Sequence, residues 1–525
     1  MPLTDPAPTL LHEGRTRLVA VSNRLPIALA RAPGGRWTVK PGAGGLVTAL
    51  VPVLRHRGGI WIGWSGLTGE EPDLPDLTSA SRKVGYRLDM VHLTGEEQRL
   101  FYHGFANEVI WPLFHDLQTR CNFQPEYWYQ YLAVNRKFAG AVADTSRPGD
   151  YVWIHDYHLM GVAQALKTLG VERQTGFFLH IPFPPVDIFL KLPWREQILQ
   201  GLLDYDLIGF QTMRDRRNFV HCIQHIAPEA RVHGRGAVVS LAIGSRQVRV
   251  GGFPISIDYE WFAAKAGSRQ VADRAWYLHE ELPDRQIILG VDRLDYTKGI
   301  PQRLEAFRTA LARYPELHGK VTLVQVVVPS REGIPEYQAL KARIEQMVGE
   351  INGRFTRGGW IPIQYLYRSL SQEELLAYYR AAEIALVTPL KDGMNLVAKE
   401  FCACSLEESG VLILSEFAGA AAELQRGALL VNPHDIEGVA ATIRDAVQMP
   451  AAERTGRMRR LRETVRRHTI FRWVDSFLQA AFARKLTDFP ALDRVHQEYV
   501  PEISLEAPAD ASGPTMATSP GQTGP

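Results

Sequence analysis

Residues 287–328 read IILGVDRLDYTKGIPQRLEAFRTALARYPELHGKVTLVQVVV, and this stretch decides the fold class. Its two ends, IILGV (287–291) and VTLVQVVV (321–328), are apolar without alternation, as a parallel strand covered on both faces requires. Between them PQRLEAFRTALARYP is amphipathic. Pro301 stands where a first helical turn tolerates proline, and Pro315 stops the run. Strand, helix and strand make a βαβ unit. Runs of the same kind recur at LVAVS (18–22), YVWIH (151–155), GFFLH (176–180) and DLIGF (206–210), then at IALVT (384–388), VLILS (411–415) and ALLVN (428–432). Ser371 and Glu374 form an S-x-x-E capping box ahead of LLAYYR. Strand–helix alternation in both halves predicts an α/β fold of two doubly wound domains with parallel sheets.

The turn-rich GFPISIDYEWF (252–262) reads as the seam, giving domains over 16–255 and 256–465. A last helix within 466–490, built on HTIFRWVDSFLQAAF, is expected to pack back on the first domain. Residues 1–15 and the Pro-, Ser-, Ala- and Gly-rich 500–525 have little to bury and are expected to be disordered. Open parallel sheets bind ligands beyond the carboxyl ends of their strands. Two of them face to face place the active site in the interdomain cleft.

Composition narrows the function. The 525 residues are 46% apolar and 22% charged, which allows large cores without cross-links. Lys and Arg number 59 against 57 Asp and Glu, and a net charge of +2 argues against nucleic acid as the partner. Cys121, Cys222, Cys402 and Cys404 fit neither a disulfide framework nor a zinc site. They read as small buried residues in a reducing compartment. No signal peptide and no apolar stretch of about 20 residues is present, so a cytoplasmic protein without a membrane partner is expected.

Polar residues that could carry chemistry collect at strand ends. Arg24 in SNRLP (22–26) is either a cation facing the cleft or a paired surface arginine. GAGGL (42–46) precedes a helix, and glycines there let backbone N–H groups approach phosphate. HDYHL (155–159) offers Asp156 and His158, and the prolines of HIPFPP (180–185) fix the loop that carries His180. Arg293 and Lys298 share the loop GVDRLDYTKG (290–299), and a paired fork and point charge suit a diphosphate. PSRE (329–332) adds Arg331. In PLKDGMNLVAKE (389–400) Asp392 and Gly393 precede a helix start near Asn395, where free N–H groups favour an anion, and Glu400 could hold vicinal hydroxyls. DYD (204–206) imitates a metal-holding D-x-D, but its second aspartate opens an apolar strand, and no metal site is expected. This set suits transfer of a sugar from a nucleoside diphosphate to a phosphorylated acceptor, and it is also compatible with other enzymes of phosphate ligands.

SNRLP, GAGGL, WIGWSG, YHGFANEVIWPLFH, HDYHL, FLHIPFP, DLIGFQT, VDRLDYTKG, PSRE and DGMNLVAKE occur in that order between about residue 17 and 485. Together they resemble the trehalose-6-phosphate synthases, retaining glycosyltransferases with two Rossmann-like domains of the GT-B type. The resemblance implies glucose transfer from UDP-glucose to glucose 6-phosphate, giving α,α-trehalose 6-phosphate with no metal or cofactor. It implies that Arg24 and Arg331 grip the acceptor phosphate and that Tyr102, Trp111 and Asp156 line the acceptor site. It places Gly44 and Gly45 near the donor diphosphate, Arg293 and Lys298 on it, and His180 and Asp392 on the transferred glucose. Leu396, Val397, Ala398, Lys399 and Glu400 are implied to bind the nucleotide, with Glu400 on the ribose and the backbone of Leu370 on the base. Asp292 stands where the well-known bacterial form has Glu, and the segment between Arg24 and Gly42 is longer, with a hairpin-like APGGRW. Two alternatives stay open: a synthase for another phosphorylated acceptor, such as glycerol 3-phosphate, and a non-catalytic sugar-phosphate sensor. The nucleotide preference and a homo-oligomeric state stay open too.

Overall fold

The computed structural model describes residues 17–31, 37–41, 45–57, 59–68, 77–331 and 334–483. The two ends expected to be loose, 1–15 and 500–525, lie outside these. The first lobe contains β1 (Leu18–Arg24), β2 (Ile27–Arg31), β3 (Trp37–Pro41), β4 (Ile60–Thr68), β5 (Arg87–Leu93), β6 (Tyr151–His155), β7 (Gln174–Phe178), β8 (Leu207–Phe210), β9 (Arg231–His233), β10 (Val238–Ile243) and β11 (Arg246–Gly252). The second contains β12 (Gln286–Arg293), β13 (Val321–Val328), β14 (Ile363–Tyr367), β15 (Ile384–Val387), β16 (Val411–Ser415) and β17 (Leu429–Val431).

The first sheet has nine strands in the order β5-β4-β1-β6-β7-β8-β11-β10-β9. It is parallel from β5 to β11, and β10 and β9 extend it antiparallel. The second has six parallel strands in the order β14-β13-β12-β15-β16-β17. Each order reverses once, between β1 and β6 and between β12 and β15. A reversal leaves a crevice beyond the strand ends, because the two flanking loops depart to opposite faces of the sheet. The α/β fold of two Rossmann-like domains is therefore present, and it puts Arg24 and Asp156 at one crevice and Lys298 and Asp392 at the other. The strands β2 and β3 form an antiparallel hairpin where the sequence is longer, with its tip outside the described residues.

Both faces of each sheet are covered. Val19 and Val21 of β1 join a cluster with Phe101, Phe105 and Phe138, and Leu18 and Ala20 join another with Leu50, Leu54 and Trp61. The helix Ile470–Phe482 lies on the first sheet, although the chain has just left the second lobe. Its Phe477 ring stacks on Trp153 at 4.2 Å between centroids. Arg249 Nη1 donates to Ala480 O at 2.7 Å, and Ile470 N–H donates to Ile257 O in the seam at 3.0 Å. Burial of Trp473 and Phe477 contributes about 2–3 kcal/mol each.

Candidate active site

In the first lobe, Arg24 ends β1 with its guanidinium carbon 4.1 Å from the Trp64 ring centroid and 5.8 Å from that of Tyr102. Gly66, at φ +94, makes room for it: a Cβ there would lie 1.7 Å from Arg24 Nη1. Tyr102 rides on a π-helical segment, Gln98–Ile110, and its ring stacks on His158 at 5.8 Å and 12°. Asp156 turns the chain after β6 at φ +75 and ψ 165, a backbone region nearly confined to glycine and so strained for an aspartate. Its N–H donates to Phe178 O at 2.8 Å and its Oδ1 accepts from His180 N–H at 3.2 Å, so the loops after β6 and β7 are tied together. Burial raises the Asp156 carboxyl to about 6 against the pull of the Tyr157 and His180 amides and of Arg293 and Arg331. Burial also pushes the His180 imidazole down to about 3, so it is neutral at physiological pH.

In the second lobe, Lys298 Nζ donates to Asp392 Oδ2 at 2.6 Å, joining the loops after β12 and β15. Burial pushes the Asp392 carboxyl up, but Lys298, His115 and Asn395 together hold the group below its ordinary value. Asn395, at φ +85, caps the helix Leu396–Cys404 by accepting from Ala398 N–H at 3.1 Å. Among the described residues no hydrogen bond claims the amides of Leu396 and Val397, so the helix start keeps two donors for an anion. Glu400 accepts from the Tyr379 hydroxyl at 2.8 Å, and burial raises its carboxyl. Leu370 sits between β14 and the helix Gln372–Ala381, whose capping box is formed by Ser371 and Glu374. It packs against the apolar cluster that also receives Leu396 and Val397.

Two of the residues expected on the nucleotide are engaged elsewhere. The Lys399 ammonium is buried and donates to Glu423 Oε2 at 2.5 Å and to Ile255 O at 2.9 Å, so it faces the seam. Successive helical residues point about 100° apart, so the Lys399 side chain leaves the helix on a different face from that of Glu400. Ala398 is fully buried with its N–H taken by Asn395. Gly44 lies outside the described residues, and Gly45 opens the helix Gly45–Arg57. The DYD aspartates belong to the framework: Asp204 pairs with Lys167 at 2.5 Å and Asp206 accepts from Thr175 N–H at 2.8 Å.

The lobes meet on a carboxylate that the sequence reading passed over. Asp295 is fully buried. Its Oδ1 accepts from Thr297 N–H at 3.0 Å and from Trp111 Nε1 of the opposite lobe at 3.4 Å. Its Oδ2 accepts from Arg331 Nη1 and the Tyr337 hydroxyl, both at 3.5 Å, with Arg293 Nη2 at 4.0 Å. Burial pushes this carboxyl up, but Arg331, Arg293 and Lys298 outweigh it and hold it low. The Trp111 ring lies under Arg331 at 4.5 Å and near Arg293 at 5.7 Å. Burial, and after it Arg331 and Arg24 of the opposite lobes, depress the His158 imidazole. Lys391 pairs with Asp116 across the cleft at 2.6 Å. Asp292 pairs with the buried Arg303, whose Nη2 donates to Lys298 O at 3.4 Å, so the departure at 292 stands behind the Lys298 loop and not in it.

The array is therefore a run of cations, Arg24 in one lobe and Arg331, Arg293 and Lys298 in the other, held by Asp295 and Asp392 and bordered by neutral and acidic groups that suit hydroxyls. The chain matches the profile of glycosyltransferase family 20 over residues 16–483. The chain belongs to glycosyltransferase family 20. This family 20 member is 44% identical to the trehalose-6-phosphate synthase of Mycobacterium leprae over 488 residues, 92% of this chain and 97% of that one. It is 44% identical to the Mycolicibacterium smegmatis synthase over 477 residues, 90% and 93% of the two chains. Its structure resembles a UDP-forming α,α-trehalose-phosphate synthase from Burkholderia xenovorans, with TM-score 0.81, 36% identity and coverage of 89% and 99%. It also resembles an Escherichia coli structure bound with UDP-2-fluoro glucose, with TM-score 0.80, 37% identity and the same coverage. No described helix of this family 20 chain is long and apolar enough to cross a membrane.

Proposed function

We propose that the chain transfers glucose from UDP-glucose to glucose 6-phosphate with retention, releasing UDP and forming α,α-trehalose 6-phosphate in the cytoplasm. The observation that supports this is the convergence of Arg24 from one lobe with Arg331, Arg293 and Lys298 from the other, beside neutral His180 and the Asp156 carboxyl. Arg293, Lys298 and the amides of Leu396 and Val397 receive the donor diphosphate. Breaking the anomeric bond adds negative charge to that diphosphate, and fixed cations and dipoles stabilise it without reorganising. These groups balance the departing charge, so the reading calls for no metal and no cofactor.

Glu400, already bonded to Tyr379, offers its second oxygen to the ribose hydroxyls, with Leu370 beside the base. Asp392 and His180 hold the glucose. Arg24 and Arg331 anchor the acceptor by its phosphate, so that its reacting hydroxyl lies on the face where the diphosphate leaves. The departing phosphate oxygen takes the hydroxyl proton, and retention needs no carboxylate nucleophile, unlike the paired acids of glycosidases. The test is a matrix of nucleoside diphosphate glucoses against phosphorylated acceptors with product identification. A non-reducing disaccharide phosphate from UDP-glucose and glucose 6-phosphate is expected. Binding without turnover, or turnover with glycerol 3-phosphate alone, refutes the reading.

A further inference from the structure

Behind His180 stands a second histidine to which the mechanism gives no part. His155 ends β6 and is fully buried; its Nδ1 lies 3.3 Å from His180 Nε2. Its own Nε2 is buried without a hydrogen-bond partner. The ring packs near Trp153 at 4.7 Å and Trp473 at 6.4 Å between centroids. Both indole N–H groups are also buried without acceptors. Burial holds both imidazoles neutral, so one proton is shared along the contact. If His180 were the donor, His155 would carry its proton on Nε2, a third orphan donor beside two. Buried N–H groups without acceptors are rarer than bare lone pairs. With the proton on His155 Nδ1, the Nε2 lone pair is instead the acceptor-type group among the indole donors.

We propose that His155 is a positioning residue that donates Nδ1–H to His180 Nε2 and thereby fixes His180 as the Nδ1–H tautomer, a neutral donor aimed at a hydroxyl oxygen of the transferred sugar. The sugar contact rests on the function proposed above; the tautomer does not. A neutral donor holds the hydroxyl oxygen without adding positive charge beside a sugar that itself becomes cationic. Long-range 15N–1H spectra of the histidine-labelled full chain, with His180 assigned through His180→Gln, read the tautomer without any turnover. Protonated Nδ1 on His180 is expected; protonated Nε2 overturns the proposal. Kinetics then test the consequence. His155→Asn can return an N–H near the Nδ1 position and keeps the tautomer and most of kcat/KM. His155→Phe removes it and loses about three- to tenfold in kcat/KM for the sugar nucleotide, with the KM for glucose 6-phosphate unmoved. Equal losses in the two variants, or none in His155→Phe, overturn the positioning role. A chain with the expected tautomer but no glucosyl transfer refutes the function and leaves the tautomer standing.

Discussion

Gly393→Ala adds one methyl group at the point where the lobes touch. The new Cβ would lie 2.3 Å from His180 O and 3.1 Å from Ile181 C and Cα. All three are backbone atoms, so no side chain can swing aside. Gly393 does not occupy the left-handed region, so alanine suits its backbone and the effect is purely steric. An ordinary carbon–oxygen contact needs about 3.4 Å, so the two loops must part by roughly 1 Å. The contact joins separate lobes, and a small opening of the cleft relieves it without disturbing either core. The expected stability loss is therefore small, about 1 kcal/mol. The kinetic loss is large, because a 1 Å misplacement of reacting groups costs on the order of 100-fold. Steady-state kcat/KM for both substrates, a thermal melt and small-angle scattering measure the three consequences. Parental activity in Gly393→Ala would show that the lobes need not close to this distance for reaction. Loss of cooperative melting would show that the contact supports folding instead.

Three further outcomes follow from the same geometry. Arg24→Ala should raise the KM for glucose 6-phosphate about 10- to 100-fold, the loss of charge-assisted hydrogen bonds, and leave the KM for UDP-glucose nearly unchanged; equal losses for both substrates contradict the assignment. Lys399→Met strands a buried Glu423 and should cost about 3–5 kcal/mol in urea unfolding, whereas Lys399→Met with Glu423→Leu should recover most of it; full destabilisation of the double variant would give the pair a role beyond mutual neutralisation. Asp156, raised from 3.8 to about 6 by burial, holds a proton when folded that it loses when unfolded. Its contribution to stability is thus full below about pH 4 and lost as pH rises through about 6, and Asp156→Asn should flatten that slope in melts at pH 4.5 and 7.

The strands that shape the two crevices were legible because β1, β6, β12 and β15 are buried on both faces and carry no alternation. Two strands of the first sheet were not. RLDMVHL in the edge strand β5 and RQVRVGG in β11, where the sheet passes from parallel to antiparallel, mix charge with apolar residues and lack the continuous apolar run of a strand covered on both faces. Arg293, Lys298 and Asp392 declared themselves as polar residues straight after apolar strands. Asp295 lies between two of them and reads as a turn aspartate; its role arises from Trp111 and Arg331, which are distant in sequence. Lys399 could have been read better. The largely apolar LVAKEFCAC that argued for a buried Glu400 argued equally for a buried Lys399, and a buried ammonium needs an anion of its own before it can serve a ligand.

The seating of Ile470–Phe482 on the first sheet bears on biosynthesis. The ribosome finishes β11 at Gly252 and delivers this helix roughly 220 residues later. At ordinary elongation rates that interval is about 10–45 s. During it Trp153, Phe178 and Phe253 lack the cover that Trp473 and Phe477 finally give them. The N-terminal half therefore emerges as an unfinished particle with a bare aromatic trough, and it becomes complete only after its neighbour has been translated. Chaperone demand should peak in that window, and expressing residues 17–255 alone should yield an aggregating fragment.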